Sequence, residues 1–424
     1  MRLPLVLSLL LLAAGCAVNP VTGERELSFY GEEWELQVGQ EYYAPLRQSQ
    51  GGDFVVDSQL VAYVQEVGQR VAEHSDRELP YEFQVINSSI PNAWALPGGK
   101  MAINRGLLTE MNSEAELAAV LGHEVVHAAA RHGAQAQSRA ALAQGAVILG
   151  GIAVGVATER EDYAAVAMIG GMLGAQMITQ RYSRNAEREA DLYGIQYMHQ
   201  AGYNPMGAVH LQESFVRLSE GRDPGFMAGL FASHPPSRER VENNRALANE
   251  LGHDGILGEQ RYRQMMARLK QLEPAYKAHD EGRLALSNGN YDEALSKAEQ
   301  ALAVESREAI FHALKGDALA SQKNYQAAEQ AYSNALRHDS GWFYQHLRRG
   351  MVRAETGNLN GARSDLRASL DRLPTAQGHF YLGNVERAAG NREQAIENYR
   401  IAAQAEGEIG NQARQALNEM GVTN

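Results

Sequence analysis

Ser113-Glu114-Ala115-Glu116-Leu117-Ala118-Ala119-Val120-Leu121-Gly122-His123-Glu124-Val125-Val126-His127-Ala128-Ala129-Ala130 is the stretch around which the rest of the chain can be ordered. Ser113 followed three residues on by Glu116 is a capping box, and the apolar run from Leu117 to about Ala130 behind it predicts a helix. Residues four apart on a helix lie about 40° apart around its axis, so His123 and His127 project from one face, one turn apart. Two imidazoles so placed form a bidentate clamp for a metal ion, and Glu124 at the edge of that face can take a proton from water activated there. Zn2+ suits such donors, because imidazole binds it well and an open position can hold the reacting water. The polar trio interrupts an apolar helix, where unpaired His and Glu would be costly to bury. Gly122 costs about 1 kcal/mol relative to Ala in mid-helix, which is understandable where something approaches the backbone closely.

A third protein ligand must come from elsewhere. Position 133, where a metzincin pattern would place a His, is Gly133, and His132 is rotated well off the ligand face, which excludes the metzincin arrangement. A second helix, expected from about Asn185 to Gln200, offers Glu187 and Asp191, again four apart on one face. Glu187 can bind the metal while Asp191 orients a ligand imidazole through its other ring N–H. Alone, the two carboxylates would suit an exposed helix, joined by Glu189 and balanced by Arg184 and Arg188. Beside the His pair they favour ligation.

At 424 residues the chain is too long for one ordinary core. Its composition, 44% hydrophobic and 21% charged, is that of a globular protein, and a formal net charge of −12 argues against a nucleic-acid binder. Helices are expected at Glu32 to Tyr43 and Ser58 to Glu73, a strand at Glu82 to Ile86, and a hairpin of Ala93 to Leu96 with Lys100 to Ile103 around Pro97-Gly98-Gly99. Gly145 to Ala157 and Ala164 to Ile178 are apolar, short of membrane-spanning length, and read as buried or groove-covering helices. Pro224 to Pro236 reads as a loop.

The C-terminal third repeats itself. Asn290-Tyr291-Asp292-Glu293-Ala294, Asn324-Tyr325-Gln326-Ala327-Ala328, Asn358-Leu359-Asn360-Gly361-Ala362 and Asn391-Arg392-Glu393-Gln394-Ala395 place their last Ala 34, 34 and 33 residues apart, the tetratricopeptide period. Stacked helix pairs of this kind form a continuous core and a concave surface suited to a protein partner. At the other end, Arg2 and the apolar run Leu3 to Ala14 have secretory-signal length, and Leu12-Ala13-Ala14-Gly15-Cys16 resembles a bacterial lipoprotein signal. Cys16, the only Cys, would then carry the acyl chains of a membrane anchor, and Ala17 after it favours the outer membrane, with the folded parts in the periplasm. The expected fold is mainly α. It comprises a signal peptide (1–15), a lipidated tether with the first helix (16–50), an α+β protease domain with a small edge-strand sheet (51–255) and an α-solenoid of tetratricopeptide helix pairs (256–424).

His123-Glu124-Val125-Val126-His127 followed by Ser183-Arg184-Asn185-Ala186-Glu187-Arg188-Glu189-Ala190-Asp191 resembles the HtpX/BepA-type zinc metalloproteases, over roughly Trp34 to Leu251. The resemblance implies that Glu187 is the third zinc ligand and that Asp191 supports the first His. It also matches Asn92-Ala93-Trp94-Ala95-Leu96-Pro97-Gly98-Gly99 to an edge strand beside the metal, where a substrate backbone could add as a further strand. His234-Pro235-Pro236-Ser237-Arg238-Glu239-Arg240 matches a block whose His234 and Arg240 would face the reacting carbonyl, or whose His234 would plug the site as a fourth ligand. The family implies a peptide-bond hydrolase acting on unfolded or misassembled polypeptide. Its repeat-bearing members imply quality control of outer-membrane proteins, or an adaptor for the assembly machinery with latent proteolysis.

Overall fold

The computed structural model describes residues 16–143, 181–221 and 228–422. The expected signal peptide, the apolar stretches Gly145 to Ala157 and Ala164 to Ile178, and the first residues of the expected Pro224 to Pro236 loop lie outside them. The fold is mainly α. Among the described residues one compact unit takes 16–43, 58–143, 181–221 and 228–267, and a second takes 44–57 and 268–422. No described helix is long and apolar enough to cross a membrane.

The first unit opens with a short antiparallel pair, β1 (Cys16–Val18) and β2 (Arg25–Leu27), with Cys16 opposite Leu27. Helix α1 (Glu32–Ser49) follows, and then α2 (Ser58–Ala72). On α2, Leu60, Val64, Val67 and Val71 recur at helical spacing and are fully buried. Gly68 lets that helix lie against Phe83 of the sheet, since a Cβ there would fall 2.6 Å from the ring. The sheet is β3 (Glu82–Ile86), β4 (Ala93–Leu96) and β5 (Lys100–Asn104) in the order β3-β5-β4, with β3 parallel and β4 antiparallel to β5. The expected hairpin is present, and β4 is an edge strand. Its turn needs glycine twice, at Gly98 (φ 81°) and Gly99 (φ 84°).

A short α3 (Arg105–Leu108) leads to α4 (Glu114–Ala129), the helix of the His pair. Ser113 Oγ accepts the Glu116 N–H at 3.2 Å as the capping box requires, while the Glu116 carboxylate turns to the N–H of Asn112 at 3.0 Å. Every residue of α4 except His123 is buried. Beyond it come α5 (His132–Ala143), α6 (Arg184–Gln200), α7 (Met206–Gly221), α8 (Ala228–Ser233) and α9 (Arg238–Leu251).

Helix α1 runs six residues past the Tyr43 boundary read from the sequence, through Pro45, which forfeits one backbone hydrogen bond. The extra turn is held by tertiary contacts that local sequence does not register. Leu46 is fully buried, and Arg47 pairs with Asp53 at 2.5 Å. Residues 44–57 belong to the second unit, where Gln48 accepts the Phe343 N–H at 2.8 Å and Trp342 Nε1 donates to the Gln48 carbonyl at 3.0 Å.

The second unit continues with the later part of α10 (Glu259–Ser287) and then α11 (Tyr291–Val304), α12 (Ala309–Ser321), α13 (Tyr325–His338), α14 (Phe343–Glu355), α15 (Leu359–Arg372), α16 (Ala376–Ala388), α17 (Arg392–Ala402) and α18 (Glu408–Glu419). The four repeated Asn residues stand at the N-termini of α11, α13, α15 and α17, and the four repeated Ala residues are all fully buried where the paired helices meet. Buried acids tie the pairs together. Asp317 on α12 accepts from Arg283 on α10 (3.0 Å), Tyr332 on α13 (2.6 Å) and both Tyr344 (2.8 Å) and Arg348 (2.9 Å) on α14. Glu386 on α16 accepts from Arg363 (2.9 Å) and Arg367 (3.2 Å) of α15.

Candidate metal centre

Helices α4 and α6 touch backbone to backbone. A Cβ on Gly122 would lie 2.9 Å from the Gly194 carbonyl oxygen, and one on Gly194 would lie 2.9 Å from the His123 nitrogen. This is the close approach that a glycine in mid-helix called for, and it brings the His pair of α4 against the carboxylates of α6. Ser183 starts α6 by accepting the Ala186 N–H at 3.2 Å, which fixes where Glu187 emerges in the first turn.

The structure gathers four of the residues singled out from the sequence. One ligand atom each from His123, His127, Glu187 and His234 lie within 4.8 Å of one another. His123 Nε2 is 3.0 Å from His127 Nε2 and 3.3 Å from His234 Nδ1, while Glu187 Oε1 is 3.4 Å from His127 Nε2 and 3.0 Å from His234 Nδ1. Ligands about 2.0–2.1 Å from a tetrahedral ion are about 3.3–3.4 Å apart, so these four spacings are of the size a metal donor set requires. A buried carboxylate oxygen, Glu187 Oε2, has no aligned hydrogen-bond donor, although Arg240 Nη1 is 3.0 Å away. The converging ring nitrogens and the Glu187 carboxylate fit a cation held among these side chains.

Asp191 takes the place expected of it, with Oδ1 3.0 Å from His123 Nδ1, leaving Nε2 of that ring to face the other ligands. Arg240 lies behind the carboxylates: Nε and Nη2 donate to Asp191 at 2.6 and 2.7 Å, and Nη1 donates to the Pro235 carbonyl at 3.2 Å. The contacts displayed are thus with the support of His123 and with Glu187. Burial alone would raise Asp191, but the Arg240 guanidinium holds it below the usual carboxylate range. Glu187 likewise sits well below that range, because the fields of His234 and His123 outweigh its burial. Glu124, 3.6 Å from His234 Nε2, moves the other way: burial pushes it up. For His127, burial pushes the pKa well below the usual imidazole value and favours the neutral, ligating form.

Sequence reasoning missed three side chains here. His132, expected off the ligand face, brings Nδ1 to 2.8 Å from His127 Nδ1. The helix does not continue: Arg131 has φ 63°, a left-handed conformation that costs a non-glycine residue about 1–2 kcal/mol. The left-handed residue itself is an Arg rather than the Gly or Asn that usually takes that conformation. Tyr182 stacks on His127 with ring centres 4.0 Å apart. Glu189, read as a possible solvating charge, faces His132 Nε2 at 3.4 Å. Of the expected substrate residues, Ala93, Trp94 and Ala95 lie in β4 and Asn92 just precedes it. Ala93 also lines a cavity of about 40 Å³ that opens beside His123 and Glu124, walled by Ala119, Val120, Phe215 and Leu230. Cys16 begins β1.

Residues 58–248 match Peptidase family M48, and residues 279–341 and 347–409 match the tetratricopeptide repeat. The chain carries an M48 peptidase domain followed by tetratricopeptide repeats. The M48 match contains all four clustered residues, a His/Glu group that could hold a metal ion. The beta-barrel assembly-enhancing protease of Escherichia coli is 28% identical over 221 residues, 51% of this chain and 44% of that protein. A Vibrio cholerae protein assigned the same role is 32% identical over 222 residues, with the same two coverages. The mitochondrial metalloendopeptidase OMA1 of Schizosaccharomyces pombe is 29% identical over 225 residues, 52% of this chain and 63% of that one. The chain thus spans less than half the length of these two bacterial assembly-enhancing relatives.

Proposed function

We propose that this protein is a zinc-dependent endopeptidase that cleaves unfolded or misassembled polypeptide, anchored through Cys16 in the periplasm at the outer membrane and serving outer-membrane protein quality control. The observation that carries the enzymatic part is the convergence of His123, His127, Glu187 and His234 within 4.8 Å of one another, with Glu124 beside them. Zinc, when bound, polarises the peptide carbonyl and lets water act as a nucleophile at neutral pH. His123, His127 and Glu187 would hold it. Glu124, its pKa pushed up by burial, takes the proton of the attacking water and returns it to the leaving amine. Extended substrate adds to the edge strand β4, and an apolar side chain next to the cleaved bond enters the cavity at Ala119 and Val120.

The test is zinc content measured together with cleavage of an unfolded protein, before and after chelation. About one zinc per chain and activity lost on chelation and regained with zinc are expected; activity that survives complete metal removal would sink the reading.

His234 Nδ1 stands among the other candidate ligand atoms, so it would hold the metal as a fourth ligand at rest and, turned away from it, would donate to the reacting carbonyl. His234→Ala is accordingly expected to keep zinc and to raise basal cleavage severalfold. Loss of cleavage with zinc retained would show that its contact with the carbonyl matters more than the plug. The repeats favour a second reading, an adaptor that binds assembly machinery with proteolysis subordinate. On that reading Glu124→Gln would still support growth wherever the parent is needed.

A further inference from the structure

We propose that His132 and Glu189 form a positioning chain behind His127, and that Asn19 of the N-terminal hairpin closes it. The chain rests on the metal-binding reading of His127 alone. Since His127 Nε2 faces the other ligand atoms, its Nδ1 must carry the proton, and the atom that receives it is His132 Nδ1 at 2.8 Å. His132 then carries its own proton on Nε2, which is buried, has no aligned acceptor and faces Glu189 Oε1 at 3.4 Å. The same Glu189 oxygen accepts from Asn19 Nδ2 at 2.7 Å.

Two further observations point the same way. Asn19 is 1% exposed, and its amide orientation is fixed, because Oδ1 accepts the Val21 N–H at 2.9 Å and leaves Nδ2 for Glu189. The left-handed Arg131 is what returns His132 beneath His127. On an unbroken helix the two would lie about 140° apart. Arg131 is held in that conformation by its own donors, Nη2 to the Tyr30 carbonyl at 2.6 Å and Nε to Glu35 at 3.1 Å. Strain maintained this carefully beside a ligand is a sign of positioning. The first ligand, His123, is braced directly by a carboxylate. The second is braced through an imidazole, and its support ends three residues from Cys16.

The test uses the full purified chain, with zinc affinity read by chelator competition and geometry by the absorption bands of bound Co2+. His132→Leu should weaken zinc about 10- to 100-fold and alter the cobalt bands. His132→Gln, whose carbonyl can accept the His127 N–H, should recover much of that loss, and Asn19→Ala should weaken zinc about threefold. A folded His132→Leu protein with the parent's zinc affinity and cobalt bands overturns the proposal, as does a Gln variant no better than Leu. Should His132→Leu fail to fold, Asn19→Ala decides: unchanged affinity and bands overturn the chain. None of these measurements needs cleavage, so a parent that binds zinc and cleaves nothing would remove the endopeptidase reading and leave this one standing.

Discussion

Glu124→Gln is expected to bind zinc as the parent does while losing about 10²- to 10⁴-fold in the rate of peptide cleavage, the range for removing a general base. Gln is nearly isosteric with Glu and can accept a hydrogen bond, but it cannot take up the proton. Because Glu124 contributes no atom to the clustered ligand set, zinc affinity is the internal control. Substitution removes an ionisable group from a buried position, so thermal stability should hold or rise slightly. Cleavage of an unfolded substrate at more than about a tenth of the parent rate would assign the proton transfer to another group.

Gly194→Val should have the larger effect on structure. Its Cβ would fall 2.9 Å from the His123 nitrogen and 3.1 Å from the His123 Cα, backbone atoms that cannot rotate aside. Helix α6 must therefore shift away from α4, at a cost of about 1–3 kcal/mol or more for the forced repacking. For a unit of this size that lowers the melting temperature by roughly 5–10 °C. The same shift moves Glu187 and Asp191 off His123, so zinc affinity should fall by at least about tenfold. Leu192→Val on the exposed face of α6 supplies the comparison, with a helix-propensity cost under about 1 kcal/mol and zinc affinity unchanged. A Gly194→Val protein with parental melting and zinc binding would mean that the glycine contact does not set the spacing.

The sequence revealed the centre wherever function is written in residue type at helical spacing. His123 with His127, and Glu187 with Asp191, are four-residue pairs that mean the same thing before and after folding. Gly122 was legible as a close approach, though its counterpart Gly194 was not, since one glycine does not disclose which neighbour it admits. His132 was misplaced because helical extrapolation assumes a continuous helix, and the break at Arg131 is imposed by contacts with Tyr30 and Glu35, about a hundred residues away in sequence. Helix α1 outruns its Tyr43 boundary because burial of Leu46 holds a further turn through Pro45. For Arg240 the sequence supplied a residue and a neighbourhood. Its bidentate grip on Asp191 became visible only in three dimensions.

The acids buried among the repeats carry a consequence for how such an array can change over time. Asp317 is addressed from three successive helix pairs at once, and Glu386 by arginines of the pair before its own. An interchangeable stack of modules would tolerate duplication, deletion or shuffling of any one of them. Here each junction carries its own charge address, and removing a module would strand a carboxylate or a guanidinium in the interior at a cost of several kcal/mol. The order of the repeats is thereby locked, and the surface they present can be revised residue by residue but not by rearranging its parts.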